Sequence, residues 1–428
     1  MKQFGEVMKR DPLDHQREGI LYAWNHHYLV IGDEQGLGKT FQAIAVALMS
    51  GGNTLVISPA YLKFNWELEF LKFAKEELFI ELPKKLFRGW ANIQIINYEM
   101  LRKDVAKAAF AWADNVIFDE CQYLKNMDAQ RTIAAHTLVY DYRPNRVMLL
   151  SGTPIENNLS EWFSVLAMCS YNPHMSSGDN VFQKYRNQWQ FASHFCNVNE
   201  FTVEKGGRRF KVRKYYGTRN LPDLRQLLKG KYIKRWAKDC LDLEPLVRKE
   251  IQVAYKRDAG LAAAWDAHVH GKAFDITAKA QSAIAKAPFT IKYVKDLLEA
   301  GEGPLVVYTD HIKPSEMIHD ALPNSVLVNG NIAIKKRPAL FKDFIAGKYD
   351  VFVATIGAAS TGVNLVNSKN LIFNDLAWKP TSNDQAERRI YRYGQTERCT
   401  IHTVLGSKVD QKIVALLTRK LEDIRKGS

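Results

Sequence analysis

The residues of this chain best suited to chemistry lie at positions 30–40, VIGDEQGLGKT. The apolar triplet Leu29, Val30 and Ile31 ends a strand. A glycine-bearing loop follows, and Lys39-Thr40 open an apolar helix, FQAIAVALM. Such a loop turns successive backbone N–H groups toward one point at a helix N-terminus, where the dipole also favours negative charge. That is a phosphate cradle. Gly36 and Gly38 let the backbone approach, Lys39 reaches the β- and γ-phosphates of a nucleotide, and the Thr40 hydroxyl ligates Mg²⁺. Asp33 stands where the general pattern has glycine. A ligand-free glycine turn is the plainer alternative, and the helix behind Gly-Lys-Thr favours the cradle.

A second group lies in VIFDECQYLKN, residues 116–126, where an apolar strand delivers Asp119 and Glu120 at its end. Phosphoryl transfer from a Mg-nucleotide needs one acid to hold the metal and another near the attacking water. Asp119 suits the first role, joining Thr40 on the metal, and Glu120 suits the second. Alone, the pair would read equally well as a solvated strand end; its place downstream of the phosphate loop gives it weight. Residues 147–160, VMLLSGTPIENNLS, repeat the geometry with hydroxyls at Ser151 and Thr153 able to reach toward the acids and report nucleotide state. Upstream, residues 12–24 read as a helix with proline at its start. On it Gln16 is either an ordinary exposed amide or one that pairs with both edges of an adenine.

The frame that positions these groups is a strand-then-helix rhythm. Thr54–Ile57 forms a buried strand ending at Ser58-Pro59, and IQIINYEML forms another over 93–101. Repeated units of this kind argue for a doubly wound α/β parallel sheet, with ligands at the carboxyl ends of the strands, where Ser58, Lys63, Asn97 and Tyr98 sit. Residues 255–287 are alanine-rich and helical in pattern, a linker. Beyond Pro288 the rhythm returns in PLVVYTDH (304–311), SVLVNGN (325–331) and VFVATIGAASTGVNLVNSKNLIFNDLAW (351–378). The small-residue loop around Thr361, Gly362 and Asn364 lets a phosphate or nucleotide approach closely. Residues 385–399, QAERRIYRYGQTERC, are predicted helical, with Arg389 and Arg392 on one face. Guanidinium groups stabilise a transferring phosphoryl group, although two arginines on a helix are usually ordinary surface residues.

Between the two rhythmic regions, FTVEKGGRRFKVRKYYG (201–217) alternates on both sides of Lys205-Gly206-Gly207, a β-hairpin signal. Arg208, Arg209, Lys211 and Arg213 crowd it among aromatics. Such interleaving suits phosphate contact with base stacking; a charged strand edge that guards against aggregation is the alternative.

Composition narrows the class. The 428 residues carry a formal net charge of +14, which points to a polyanionic partner, most simply nucleic acid. No apolar run approaches the roughly 18 residues that span a bilayer, and the N-terminus lacks a signal-peptide core. The five cysteines are scattered, in neither metal nor disulfide spacing, so a reducing intracellular compartment is the default. That would be the cytoplasm of a bacterial or phage-infected cell, or the nucleus of a eukaryote.

Taken together, DEQGLGKT, LVISPAYLKFNWELEF, NYEML, DECQYLKN and LSGTPIENNLSE resemble the SWI/SNF-type DNA translocases of the superfamily 2 helicase-like ATPases. Their phosphate loops carry Asp at the position of Asp33. Gln122 departs from the resemblance, since most members have His there. GTRNLPDLRQLLKGKYIKRWAKDCLDLEP is similar to the fork-remodelling, annealing-helicase branch. The resemblance implies two RecA-like lobes with ATP and Mg²⁺ in the cleft between them. Lobe one would span 1–240, with the basic hairpin near 200–217 as an insertion. A helical linker would occupy 241–287 and lobe two 288–428. It implies ATP contacts from Gln16 and Gln395, finger roles for Arg389 and Arg392, and DNA across the loops after Ser58, Asn97, Asn329 and Thr361. Trp378 would serve either packing or DNA. Short flanks outside the motifs lead one to expect a minimal, monomeric motor acting on duplex, forked or four-way-junction DNA, with no membrane. Displacement of bound proteins is the rival activity.

Overall fold

The computed structural model describes residues 2–83, 89–173, 180–205, 208–254, 276–359, 364–406 and 408–427. They fall into two compact units, one of Met1–Cys240 with Glu422–Ser428, the other of Leu241–Leu421.

The first unit is built on a seven-stranded sheet. Its strands are β1 (Tyr28–Ile31), β2 (Thr54–Ser58), β3 (Ile80–Glu81), β4 (Ile93–Asn97), β5 (Asn115–Asp119), β6 (Arg146–Leu150) and, after the hairpin strands, β9 (Tyr232–Ile233). Their order is β3-β4-β2-β5-β6-β1-β9, every pairing parallel. Parallel sheets covered by helices on both faces need strands apolar on both faces, which is why β1 and β6 are buried end to end. The register matters for chemistry. Leu150 pairs with both Ile31 and Asp119, so the loops after β1, β5 and β6 leave the sheet at one level. Residues 93–101 do not form one long strand: β4 stops at Asn97, and a 3₁₀ turn, Tyr98–Arg102, buries Tyr98, whose hydroxyl donates to the Asp119 carbonyl at 2.7 Å. Residues 422–427 pack into this unit, Trp162 Nε1 donating to the Gly427 carbonyl at 2.9 Å.

The hairpin strands are β7 (Asn197–Lys205) and β8 (Arg208–Tyr216), antiparallel over nine pairs.

The second unit has a six-stranded parallel sheet of β10 (Val247–Gln252), β11 (Leu305–Thr309), β12 (Ser325–Val328), β13 (Val351–Thr355), β14 (Asn370–Phe373) and β15 (Thr400–Leu405). The order is β10-β15-β14-β11-β13-β12. Here the structure corrects the expected helical linker 241–287. Its segment Val247–Gln252 is a strand paired along its whole length with β15. Residues 255–275 lie outside the described residues. The helix Ile276–Glu299 then runs through Pro288, where the second lobe was expected to start. A second correction concerns QAERRIYRYGQTERC. The helix there is Pro380–Glu387, and Arg389 and Arg392 lie in the turns after it. The chain leaves the helix at Arg388 (ψ 2°), and the Arg389 carbonyl accepts from Leu365 N at 2.9 Å, which ties the turn to the strand-connecting loop.

The five cysteines are free thiols. Among the described residues no helix is long and apolar enough to cross a membrane.

Candidate nucleotide site

The phosphate loop hangs between β1 and the helix Lys39–Ser50. Gly36 and Gly38 take φ of 88° and 79°, the left-handed region that disfavours side chains. A Cβ on Gly38 would also lie 2.3 Å from Gln16 Nε2. Lys39 Nζ donates to the carbonyls of Asp33 at 2.7 Å and Glu34 at 3.4 Å. Burial lowers its pKa, opposed by the charges of Glu120, Asp33, Asp119 and Glu34.

Asp33, irregular for a general phosphate loop, has a structural explanation. Its carboxylate is fully buried and accepts from Arg235 Nε at 3.0 Å, from Arg235 Nη2, and from Gln42 Nε2 at 2.9 Å. Arg235 Nη2 also donates to Gln42 Oε1 at 2.9 Å. The chain bearing Arg235 runs beside the loop: Val30 N donates to Lys231 O, Gly32 N to Ile233 O and Glu34 N to Arg235 O, all within 2.7–2.9 Å. Glu34 Oε2 accepts from Ala237 N at 2.6 Å. Sequence reasoning missed Arg235 and Gln42 as loop supports. Arg235 stands 202 positions from Asp33, so only the buried acid hinted at a cationic partner.

Asp119 ends β5. Its Oδ2 accepts from Trp66 Nε1 at 2.8 Å and its Oδ1 from Glu120 N at 3.0 Å. Burial and the adjacent Glu120 carboxylate raise its pKa to about 7. Glu120 has φ 53° and ψ 54°, strained for a residue with a side chain, a feature that clusters at functional sites. Gln122 Nε2 donates to Glu120 Oε2 at 2.7 Å, and Ser151 Oγ donates to Gln122 Oε1 at 2.6 Å. Ser151 Oγ in turn accepts from Thr153 N at 3.0 Å. The serine expected to reach toward the acids thus does so through Gln122. Next to it, a Cβ on Gly152 would come within 2.9 Å of Gln35 Cγ and 3.4 Å of Lys39 Nζ, so only glycine leaves this wall of the cradle open. The residues fit a nucleotide triphosphate with Mg²⁺. The loop offers N–H groups and a lysine, while the Thr40 hydroxyl and Asp119 carboxylate are the hard oxygen donors that cation takes.

Gln16 is buried rather than an exposed amide. Its Oε1 accepts from Leu13 N at 3.2 Å and Arg10 Nη2 at 3.3 Å, and Nε2 donates to Leu37 O at 3.3 Å. It abuts the phosphate loop.

Other expectations need correction. Ser58 and Asn329 are buried, so neither side chain faces a DNA surface. Ser58 Oγ donates to Pro59 O at 3.3 Å, and Asn329 Oδ1 accepts from Asn331 N at 3.0 Å, each closing a turn at a strand end. Gln395 uses both ends of its amide on backbone. Its Nε2 lies 3.0–3.3 Å from the carbonyls of Ser368, Ile390 and Val366, and its Oε1 accepts from Thr396 N and Glu397 N at 2.9 Å. It holds a turn in place of the expected nucleotide contact. Lys63 opens the helix Lys63–Phe73, and Asn97 Nδ2 donates to Glu99 Oε2 at 2.6 Å. Arg389 and Arg392 are half-buried in the second unit. Trp378 packs on Ile413 and Leu417, with Lys279 Nζ 5.2 Å from its ring. Thr361 lies outside the described residues. In the hairpin, Arg209, Lys211 and Arg213 are exposed, but each faces an acid: Glu204 at 3.9 Å for Arg209, Glu200 at 2.9 Å for the other two.

Known proteins resemble this chain over most of its length. A solved structure, the Sulfolobus solfataricus SWI2/SNF2 ATPase core in complex with dsDNA, superposes with a TM-score of 0.45 at 18% identity, covering 98% of this chain and 95% of its own. The SWI/SNF-related matrix-associated actin-dependent regulator of chromatin subfamily A-like protein 1 of Xenopus tropicalis is 27% identical, over 91% of this chain and 42% of its own length. The DNA annealing helicase and endonuclease ZRANB3 of Mus musculus is 26% identical, over 96% and 40%. The DNA repair and recombination protein RAD54-like of Gallus gallus is 23% identical, over 97% and 67%. The chain thus spans well under half the length of the first two. Residues 290–394 match the helicase conserved C-terminal domain, and residues 15–257, more than half of the chain, match the SNF2-related domain. With a phosphate loop, an Asp-Glu pair and two parallel-sheet units, the chain belongs to the SNF2-related family of superfamily 2 helicase-like ATPases.

Proposed function

We propose that the protein hydrolyses ATP in a DNA-stimulated cycle, moves along duplex DNA and remodels branched DNA by branch migration or fork regression. The observation that carries its hydrolytic part is the convergence, at the carboxyl ends of β1, β5 and β6, of Lys39, the Asp119–Glu120 pair and Ser151, joined through Gln122.

The loop N–H groups and Lys39 would bind the substrate's β- and γ-phosphates, displacing the ammonium from the Asp33 carbonyl it now holds. Thr40 and Asp119 would hold Mg²⁺, which would supply charge neutralisation for the transferring phosphoryl group. Glu120 would orient the attacking water and take its proton. Its carboxylate is aimed by Gln122, and Gln122 by Ser151, so a shift of the Ser151–Thr153 turn re-aims the base. That gives a route by which a bound polymer could raise turnover. Arg389 and Arg392 would supply positive charge to the transferring phosphoryl group. Gln16 abuts the loop and would meet a base by exchanging its bonds to Leu13 N and Leu37 O for the adenine.

DNA as the polymer is supported by the net charge of +14 and by relatives named for DNA annealing and for DNA repair and recombination. The test is ATP hydrolysis at fixed salt with no DNA, single strand, linear duplex and a synthetic four-way junction. The reading expects strongest stimulation by the junction, with strand-exchange products on a gel. Equal stimulation by linear duplex without such products would overturn branched-DNA remodelling in favour of plain translocation that displaces bound proteins. No stimulation by any DNA would overturn DNA as the polymer.

A further inference from the structure

The β7–β8 hairpin has two unlike faces. In an antiparallel pair, residues directly opposite share a face. The register places Glu204 opposite Arg209, Thr202 opposite Lys211, Glu200 opposite Arg213 and Val198 opposite Tyr215 on one face. There the ion pairs of Glu200 and Glu204 offset the cations, Arg213 lies 5.1 Å from the Trp189 ring, and Tyr215 packs on the core of the first unit. The other face pairs Val203 with Phe210 and Phe201 with Val212. These four side chains are 40%, 50%, 37% and 36% exposed, a contiguous apolar patch. Lys214 extends it, its Nζ 5.3 Å from the Phe201 ring.

An exposed apolar two-stranded ribbon is an aggregation liability unless something covers it. Charge selects the occupant. Residues 197–216 include Lys205, Arg208, Arg209, Lys211, Arg213 and Lys214 against only Glu200 and Glu204. Such an excess disfavours a second copy of the same hairpin and favours a polyanion. A polyanion that also presents flat apolar faces is a nucleic acid with unpaired bases, because a duplex hides its base faces. Phe210 and Val212, two apart on one strand, are separated by about 7 Å. That is about twice the 3.4 Å rise of one DNA strand, room for one flat base between two apolar side chains.

We propose that this apolar face, and not the ion-paired face opposite, receives the unpaired bases at a DNA fork or junction, with Phe201 and Phe210 as stacking rings and Lys214 at their margin. The proposal rests on the DNA-translocase reading for its substrate and narrows it to branched DNA. The test compares wild type with the double variant Phe201→Ala/Phe210→Ala. Affinity is measured for a fork carrying 2-aminopurine in its single strand next to the junction, and ATPase is measured with linear duplex. Stacking predicts that wild type quenches the 2-aminopurine. The double variant should lose that quench and bind the fork about tenfold more weakly or worse, with linear-duplex ATPase within twofold. Phe201→Tyr/Phe210→Tyr, which keeps the rings, should restore both, and Lys211→Ala should change fork affinity less than threefold. Unchanged quench and fork affinity in the alanine variant would overturn the proposal. So would a concentration-dependent dimer abolished by the same variant, which would assign the face to a second copy. If the tyrosine variant is as impaired as the alanine one while both melt like wild type, stacking is also overturned. Wild type lacking DNA-stimulated turnover would overturn the translocase reading, and the quench would still decide the hairpin.

Discussion

Replacing Arg235 by Leu should destabilise the first unit and loosen the phosphate loop. Arg235 is 12% exposed and Asp33 fully buried, and the two share a pair of hydrogen bonds. Without the guanidinium, Asp33 keeps, among the described residues, the Gln42 amide at 2.9 Å as its side-chain donor, with its carboxylate fully buried. Removing one partner of a buried ion pair costs about 3–5 kcal/mol, because the other charge is left uncompensated. For a domain of this size each kcal/mol shifts the melting temperature by about 2–4 °C, so a loss of about 6–20 °C is expected. The Michaelis constant for ATP should rise severalfold, because Glu34 and Ala237 are held by the same segment. Calorimetry with and without nucleotide identifies the transition to follow. Asp33→Ala/Arg235→Leu should recover most of the stability, since replacing both buried charges by apolar groups is often neutral. The reasoning is refuted if Arg235→Leu melts within 1 °C of wild type with unchanged nucleotide affinity, or if the double variant is as unstable as both single losses summed.

Three further outcomes are expected. Gln122→Ala, which frees Glu120 from its 2.7 Å contact, should lower kcat about tenfold or more and weaken stimulation by DNA, with little change in the Michaelis constant for ATP, in steady-state assays. Acid should destabilise both units through His136 and His402, whose pKa values burial lowers to about 4 from 6.5. The unfolded chain takes up protons first as pH falls through 6.5, so stability is constant above that and declines toward pH 4. Each contributes about 2 kcal/mol of loss between pH 7 and 5, so in urea titrations His402→Gln should reduce the pH-dependent part by that amount. Trp66→Phe removes the indole donor to Asp119 and should weaken Mg²⁺ binding, read as a higher Mg²⁺ concentration for half-maximal ATPase.

The parts legible in the sequence are those whose chemistry is local. A glycine loop between strand and helix declares its phosphate geometry in eleven residues, and an apolar strand ending in Asp119-Glu120 does the same for the acids. The failures share a physical cause, dependence on distant partners. Val247–Gln252 holds only two apolar residues, Val247 and Ile251, four apart with exposed charged residues between them, so no strand alternation marks it; the pairing with β15 does. The arginine segment has helical spacing, but the bond from Leu365 N to the Arg389 carbonyl ends the helix first. Ser58 and Asn329 sit at strand ends as expected, yet pack inward where local turns need their polar groups. In the hairpin, composition shows basic residues mixed with aromatics, and only the register shows that Phe201 and Phe210 share one face while Arg209, Lys211 and Arg213 share the other with Glu200 and Glu204.

The measurement that bears most directly on the central claim is steady-state ATP hydrolysis by wild type and Glu120→Gln, each with and without duplex DNA, alongside nucleotide binding. DNA-stimulated turnover is expected in wild type. In Glu120→Gln, turnover should fall by about a hundredfold or more, with nucleotide binding retained. Turnover in Glu120→Gln within threefold of wild type would contradict the assignment of Lys39, Asp119 and Glu120 as the hydrolytic site.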